Sequence, residues 1–242
     1  MTDFVQLWVY LSSTPLFGLT ATLVVYVSAQ AFYARMQQAP WANPVLWSVV
    51  VLAGALTLTG TAYPTYFSGA QFIHFLLGPA VVALGWPLWQ RRSALRARGV
   101  RFVAAALIGG SAAAGSAVLF AWALGLPHEV LLSLAPKSVT APVAMGVAEK
   151  IGGIPALAAV FAVLTGLVGA LSGKYLFDAI GIATDGNGWI ARGFALGTAS
   201  HGIGAARALQ VNAEAGAWAA LALGLQAVLA SVLIPLVSAI IG

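Results

Sequence analysis

Residues 73–89 read IHFLLGPAVVALGWPLW, an apolar stretch long enough to cross a bilayer that contains Gly78, Pro79, Gly85 and Pro87. Proline removes a backbone donor and clashes with the carbonyl one turn earlier, so the sequence predicts an interrupted helix at Gly78 and Pro79. In hydrocarbon, free peptide groups are tolerated only where protein buries them or where they line a wet cavity. The interrupted span is therefore a candidate binding site.

The composition is typical of a polytopic membrane protein. Of the 242 residues, 61% are hydrophobic and 7% are charged, whereas a soluble domain carries about 25% charged residues. Because a span needs about 20 apolar residues, we predict an all-α membrane protein of about eight segments, forming a single domain over residues 1–242. We place these segments at residues 5–30, 45–61, 67–89, 102–126, 130–150, 154–177, 190–210 and 216–240.

The basic residues predict the orientation of the chain. Five of the eleven lie in one predicted loop between apolar segments: Arg91, Arg92, Arg96, Arg98 and Arg101. Such loops stay in the cytoplasm, and by alternation Lys150 and Arg207 share their side while Glu129, Asp178 and Asp185 face outward. Aromatic residues do not interleave with the arginines as in a single-strand binding groove. We therefore exclude nucleic acid as a partner and interpret the basicity as orientation and contact with the lipid bilayer.

Several chemistries lack the residues they require. The chain has no cysteine and three scattered histidines, His74, His128 and His201, so no metal site and no cofactor is expected. No nucleophile elbow, phosphate loop or paired carboxylates occur, and no carboxylate near His201 in the sequence could orient it for hydrolysis. The protein is not expected to be an enzyme.

The stretch LAPKSVTAPVAM, residues 134–145, is a second interruption, in which two prolines bracket three polar residues: Pro136, Lys137, Ser138, Thr140 and Pro142. A lysine at membrane depth is costly and marks a functional site by default. If Pro142 occupies the first turn of a half-helix, the nearby amides would face the gap and suit a carboxylate or phosphate. The alternative is that Lys137 extends to an interface and the hydroxyls only cap a helix. The sequence leaves both interpretations open.

The stretch GTASHGIGAARAL, residues 197–209, is a third candidate, with polar residues among glycines: Thr198, Ser200, His201, Gly202 and Gly204. Glycine costs a helix about 1 kcal/mol per residue, so a kink or an unwound turn is expected. His201 can titrate near neutral pH, although a lone histidine is also common as a satisfied core residue. The segments 130–150 and 190–210 could each cross the membrane or re-enter it.

Small residues cluster at 109–116 and again at 166–173. Such stretches let helix backbones approach closely in lipid. We interpret them as packing surfaces without a ligand, and they leave a homodimer open.

The blocks LLGPAVVALGWPLW, LAPKSVTAPVAM, IGGIPALAAVFAVLTGLVGA and GTASHGIGAARAL resemble those of the LrgB/CidB family, and the similarity covers residues 44–235. The resemblance implies a multi-pass protein of the bacterial inner membrane, often encoded beside a small LrgA/CidA-type partner. It implies one of two roles. One is a holin/antiholin-like component that modulates murein hydrolase activity and cell lysis, and the other, as in the related plastidial glycolate/glycerate translocator, is transport of small monocarboxylates.

The interrupted segments favour transport, because a holin needs only simple spans whereas secondary transporters hold charged substrates between discontinuous helices. We predict a site for a small carboxylate where the three interruptions meet, formed by Gly78, Pro79, Lys137, Ser138, Thr140, Pro142, Thr198, Ser200, His201, Gly202 and Gly204. Lys137 supplies the charge, the amides and hydroxyls bind the carboxylate, and His201 reports or carries a proton. An electroneutral uniport is equally open. The first two interruptions share a pattern of proline, Val-rich run and proline, which indicates an internal repeat with inverted halves.

Overall fold

The computed structural model describes residues 15–83, 85–90 and 92–241, and these residues form helices without a strand. The prediction of an all-α membrane protein is confirmed. The described helices are α1 (Pro15–Arg35), α2 (Pro44–Thr59), α3 (Tyr63–Ala83), α4 (Gly85–Gln90), α5 (Arg92–Ala123), α6 (His128–Leu134), α7 (Ala141–Ile151), α8 (Pro155–Ala179), α9 (Gly186–Val211) and α10 (Ala213–Ile241). The beginning of the first predicted span lies outside the described residues.

Four stretches in the described part of the chain are long and apolar enough to cross a membrane: Leu16–Arg35, Gly99–Ala123, Pro155–Ala179 and Ala213–Ile240. Helix α2 is equally apolar in character but has 16 residues. The predicted spans at 130–150 and 190–210 are each divided by residues with non-helical backbone. That division produces the architecture of the site.

The chain divides into two compact units, residues 1–81 and residues 82–242. In the first unit, α1 and α3 approach so closely that a Cβ atom on Gly18 would lie 2.1 Å from the carbonyl oxygen of Tyr66. The Tyr66 hydroxyl lies 2.6 Å from Thr22 Oγ1 beside this contact. Asn43 caps α2 by accepting from the amides of Val45 and Leu46.

The predicted interruption at Gly78 and Pro79 is wrong, because α3 continues through both residues to Ala83. Proline removes one backbone hydrogen bond, and helices in membranes accommodate this loss by small local adjustments. The next helix begins at Gly85, after Leu84, which lies outside the described residues.

In the second unit, α5 and α10 run in the same direction. The Phe102 and Trp218 rings lie 4.8 Å apart, and eight residues further along both helices a Cβ atom on Gly110 would lie 2.2 Å from Gln226 Nε2. Because the contacting residue number increases by eight on both helices, the two helices are parallel. We call the end of this unit where α5 begins the arginine end and the other the opposite end.

The basic segment predicted as a loop is helical. From Arg92 onward it forms the first turns of α5, while Arg91 lies outside the described residues. Arginine and alanine are good helix formers, and a 32-residue helix has a length of about 48 Å, against a hydrocarbon thickness of about 30 Å. The basic turns can therefore extend past the apolar layer without ending the helix.

Helices α6 and α7 form a re-entrant segment from the opposite end. Ser133, near the end of α6, accepts a hydrogen bond of 2.7 Å from the amide of Ile154, the N-cap residue of α8. Helix α7 returns to the same place, since Gly152 caps it with a left-handed φ of 86°. The chain between Ser133 and Gly153 thus leaves the beginning of α8 and returns to it, which supports the re-entrant alternative for residues 130–150.

Helix α9 reverses at His201, whose backbone has φ 42° and ψ −134°. In a straight helix residues 196 and 204 would be about 12 Å apart, but a Cβ atom on Gly204 would lie 2.7 Å from the Leu196 carbonyl oxygen. The residues before His201 run antiparallel to α8, because Gly173 contacts Leu196 and Gly169 contacts Ser200. After His201 the chain returns toward the end where α9 began, so this segment is re-entrant from the arginine end.

These two reversals change the predicted sidedness of several charged residues. Asn187, at the start of α9, lines the same cavity as Arg101, so Asp178 and Asp185 lie near the arginine end. Lys150 lies at the other end, beside the start of α8. The prediction for these three residues is wrong because counting alternate spans fails when two segments re-enter the membrane.

The close contact between α9 and α10 predicts that one added methyl group lowers the stability of the protein. A Cβ atom on Gly197 would lie 2.1 Å from the carbonyl oxygen of Ala219, so Gly197→Ala must separate the two helices. We expect a loss of about 1–3 kcal/mol, seen as a lower midpoint of thermal inactivation in detergent. Gly99→Ala, with no atom within 4 Å of the added methyl group, is the matched control and should stabilise by up to about 1 kcal/mol. Equal midpoints for the two variants would contradict this packing.

Candidate functional site

The two re-entrant segments meet inside the second unit. Gly202 follows the reversal of α9, and a Cβ atom built on it would lie 4.0 Å from the Thr140 methyl group. Thr140 immediately precedes α7. A segment that enters from the arginine end and one that enters from the opposite end therefore contact each other at their turning points.

Residues 135–140 connect α6 to α7 without regular helix. Ser138 is buried, and the Lys137 ammonium lies 3.5 Å from its hydroxyl oxygen. Among the residues that the structure describes, no carboxylate forms an ion pair with Lys137. Its positive charge is available to an anion.

Helix α7 presents its first turn at this contact. Pro142 lies in the first turn, as its preferred position predicts, and Thr140 is the N-cap residue with an extended ψ of 148°. The Thr140 side chain makes no capping hydrogen bond, and its buried Oγ1 atom has no partner in the described part of the chain. The first amides of a helix lack intrahelical partners and carry partial positive charge. The half-helix therefore offers donors to a carboxylate.

Glycines of α8 hold the reversal of α9. A Cβ atom on Gly169 would lie 1.7 Å from Ser200 Oγ, and one on Gly166 would lie 2.9 Å from His201 Nε2. The His201 Nε2 atom is 2.7 Å from the carbonyl oxygen of Ala162. Because a carbonyl only accepts, Nε2 carries the hydrogen and Nδ1 is the ring atom left for a second proton.

Two further buried polar atoms without a hydrogen-bond partner within the described residues are Thr198 Oγ1 and Gln226 Oε1. They flank successive glycines of α5, since Gly109 contacts the Thr198 methyl group and Gly110 contacts the Gln226 amide. Buried polar groups are nearly always satisfied, so unpartnered ones indicate a ligand, an ion or water. Sequence analysis missed Gln226, whose only signal was a polar residue in the middle of an apolar span.

Two cavities lie beside these residues. One, of about 550 Å³, extends between α5, α6 and α10 to the opposite end and is lined mostly by apolar side chains, with Ser138 and Gln226 at its inner part. The other, of about 590 Å³, lies between α5 and α9 and has Arg101 and Thr198 among its lining residues. We call them the apolar cavity and the arginine-end cavity.

Nine of the predicted site residues belong to the two re-entrant segments of the second unit, which meet at Thr140 and Gly202: Lys137, Ser138, Thr140, Pro142, Thr198, Ser200, His201, Gly202 and Gly204. Gly78 and Pro79 belong to the first unit and to a continuous helix. The small residues of α8, interpreted as packing alone, are the ones that receive the side chains of Ser200 and His201.

Arg192 has a structural role. Its guanidinium donates to Asp178 at 2.7 Å and to the carbonyl oxygens of Ile182 and Ala183. It therefore joins the end of α8 to the beginning of α9. Asp185 completes this connection by capping α9 at the amide of Gly188.

Long apolar helices and two re-entrant segments from opposite ends define a multi-pass membrane protein with an internal polar junction. The chain belongs to the LrgB-like family, whose model matches residues 22–240. The family identified by resemblance is thereby confirmed, and a bacterial plasma membrane is the expected location.

The alignments with two relatives cover almost the whole chain. The Bacillus subtilis (strain 168) protein YxaC, described as uncharacterized, is 34% identical over 89% of this chain and 92% of its own length. The holin-like protein CidB of Staphylococcus aureus (strain Mu50) is 31% identical over 97% of each chain. No solved structure matches the chain.

Proposed function

We propose that this protein transports small monocarboxylates of the glycolate, glycerate or pyruvate type across the bacterial inner membrane. The observation that carries the proposal is the contact between Thr140 and Gly202, where the turning points of two oppositely directed re-entrant segments meet. A site at such a point can be reached from either face after a small movement. Transporter sites commonly lie between discontinuous helices near the middle of the bilayer.

The polar groups at this junction suit a carboxylate. Lys137 provides the charge, and the first turn of α7 provides backbone donors. The hydroxyl of Thr140 is buried and has no partner in the described ranges of the chain, and Ser138 lies between it and the lysine in sequence. One cation and several hydrogen-bond donors match the single negative charge of a small monocarboxylate.

His201 is proposed to couple transport to protons through Nδ1. Its Nε2 atom is held by Ala162, so proton exchange at Nδ1 would leave the position of the ring unchanged. Movement of one helix bundle against the other would then expose the loaded site alternately to each side. An uncoupled uniport uses the same site without this step.

Liposomes containing the purified protein provide the decisive experiment. We expect saturable counterflow of labelled glycolate or pyruvate by this chain alone, with the same KM when an LrgA/CidA-type protein is reconstituted beside it. Protein-free liposomes and liposomes with the partner alone are the controls. Flux that is absent without the partner, or that does not saturate, would contradict the proposal.

A second candidate is a holin/antiholin-like component that modulates murein hydrolase activity and cell lysis together with an LrgA/CidA-type membrane protein. The name holin-like protein CidB among its relatives favours this function. It predicts a stable complex with the small partner, or a homodimer, and no saturable flux by this chain. The same reconstitution therefore separates the two candidates.

A further inference from the structure

The arginine-end cavity follows two parallel helices from the arginine end toward the junction. On α5 it extends from Arg101 to Gly109, and on α9 from Asn187 to Ala199. At a rise of 1.5 Å per residue these distances are about 12 and 18 Å, which is comparable to the distance to the middle of a hydrocarbon layer of about 30 Å. Thr198 lies three residues before the reversal at His201.

Most residues that line this cavity are apolar, and its polar groups lie at the two ends. Arg101 is its one charged residue among those the structure describes, and no carboxylate lines it. At the inner end Thr198 is 95% buried, and its hydroxyl has no hydrogen-bond partner among the residues that the structure describes. A threonine in a helix usually donates to a carbonyl one turn earlier. The Thr198 hydroxyl makes no such bond, so after a rotation about χ1 it can donate to a ligand.

We propose that the arginine-end cavity is the aqueous route by which the carboxylate reaches the junction from the arginine end, with Arg101 attracting the anion and the Thr198 hydroxyl receiving it. This inference rests on the proposed transport function. Ala195, on the wall between Asn187 and Thr198, provides a position at which the contents of the cavity can be measured.

The absence of native cysteine makes thiol labelling a clean test. We expect Ala195→Cys to react with the membrane-impermeant anionic reagent sulfonatoethyl methanethiosulfonate, MTSES, from the arginine end only, with glycolate slowing the reaction. The matched control is Ala104→Cys, an exposed α5 position outside both cavities. It should react at least about tenfold more slowly, because thiolates form in water and not in lipid, and should still be labelled by the lipid-soluble N-ethylmaleimide.

The charge of Arg101 is tested in the same vesicles. In the Ala195→Cys background, Arg101→Gln should lower the rate ratio of MTSES to the cationic trimethylammonium analogue by about tenfold. Arg96→Gln, an exposed residue of α5 outside the cavity, should change this ratio by less than about twofold, because exposed charges more than about 10 Å away are screened.

Each outcome is decisive for the route. Reaction of Ala195→Cys with N-ethylmaleimide alone would mean that lipid fills the cavity and would overturn the proposal. Labelling by MTSES that leaves the variant's own glycolate flux unchanged, or that glycolate does not slow, would overturn the route while transport stands. If the wild-type protein carries no flux, the proposed function fails independently of whether the cavity is aqueous.

Discussion

Replacing Lys137 with glutamine is expected to raise the KM for glycolate by at least about tenfold, because a hydrogen bond to a charged group contributes about 1.5–3 kcal/mol. Lys137 is the one charged residue in the connection between α6 and α7, and it lies beside the buried Ser138. Glutamine is one atom shorter and retains hydrogen-bond donors but removes the charge. The concentration dependence of flux in liposomes measures the effect.

Lys150→Gln is the matched control for this variant. Lys150 is an exposed residue of the last turn of α7, at the far end of the same half-helix, and its replacement should leave KM within about twofold, since exposed charges are strongly screened. The midpoint of thermal inactivation of both variants should equal that of the wild type. A normal KM in Lys137→Gln would remove the lysine from the site, and the proposed anion contact with it.

The second large effect is expected from Gly169→Ala. The added methyl group would lie 1.7 Å from Ser200 Oγ and 2.6 Å from its Cβ atom, so the reversal of α9 must move away from α8. We expect a loss of about 1–3 kcal/mol in stability, measured as the midpoint of thermal inactivation, together with loss of flux.

Combination with Ser200→Gly tests the stated cause. Without the Ser200 side chain, the nearest atom to the new methyl group is the backbone Cα at 3.9 Å, an ordinary contact. The double variant should therefore be more stable than Gly169→Ala alone, although the lost hydroxyl keeps its flux below that of the wild type. A double variant less stable than the single one would show that another contact opposes the methyl group.

Sequence patterns predicted the second and third candidate segments for identifiable physical reasons. In the second segment, two prolines oppose a continuous helix, and Lys137 between them is a charge that is costly to place in the membrane. In the third segment, the glycines from Gly197 to Gly204 weaken a helix. The two segments that contain these residues meet where Gly202 lies beside Thr140. Their assigned roles in binding and proton transfer remain predictions.

Pro79 illustrates where the same reasoning fails. Its local cost is equal to that of any helix-interior proline, yet α3 continues through it, because one missing hydrogen bond does not break a helix whose other bonds persist. Gln226 illustrates the opposite failure, since a single polar residue in an apolar span forms no motif that would predict a site. Only its position against Gly110, with its oxygen unpartnered, identifies it.

Composition and span length alone determined that this protein is an all-helical membrane protein, because burial in lipid requires long apolar segments whatever their arrangement. The LrgB-like family was identified by the resemblance of its sequence blocks and confirmed by the family model. The tertiary structure decided which segments cross and which return. That choice depends on contacts between residues distant in sequence, such as Ser133 with Ile154 and Gly204 with Leu196. It also placed Asp185 at the same end as Arg101, since sidedness follows from counting crossings and a re-entrant segment adds none.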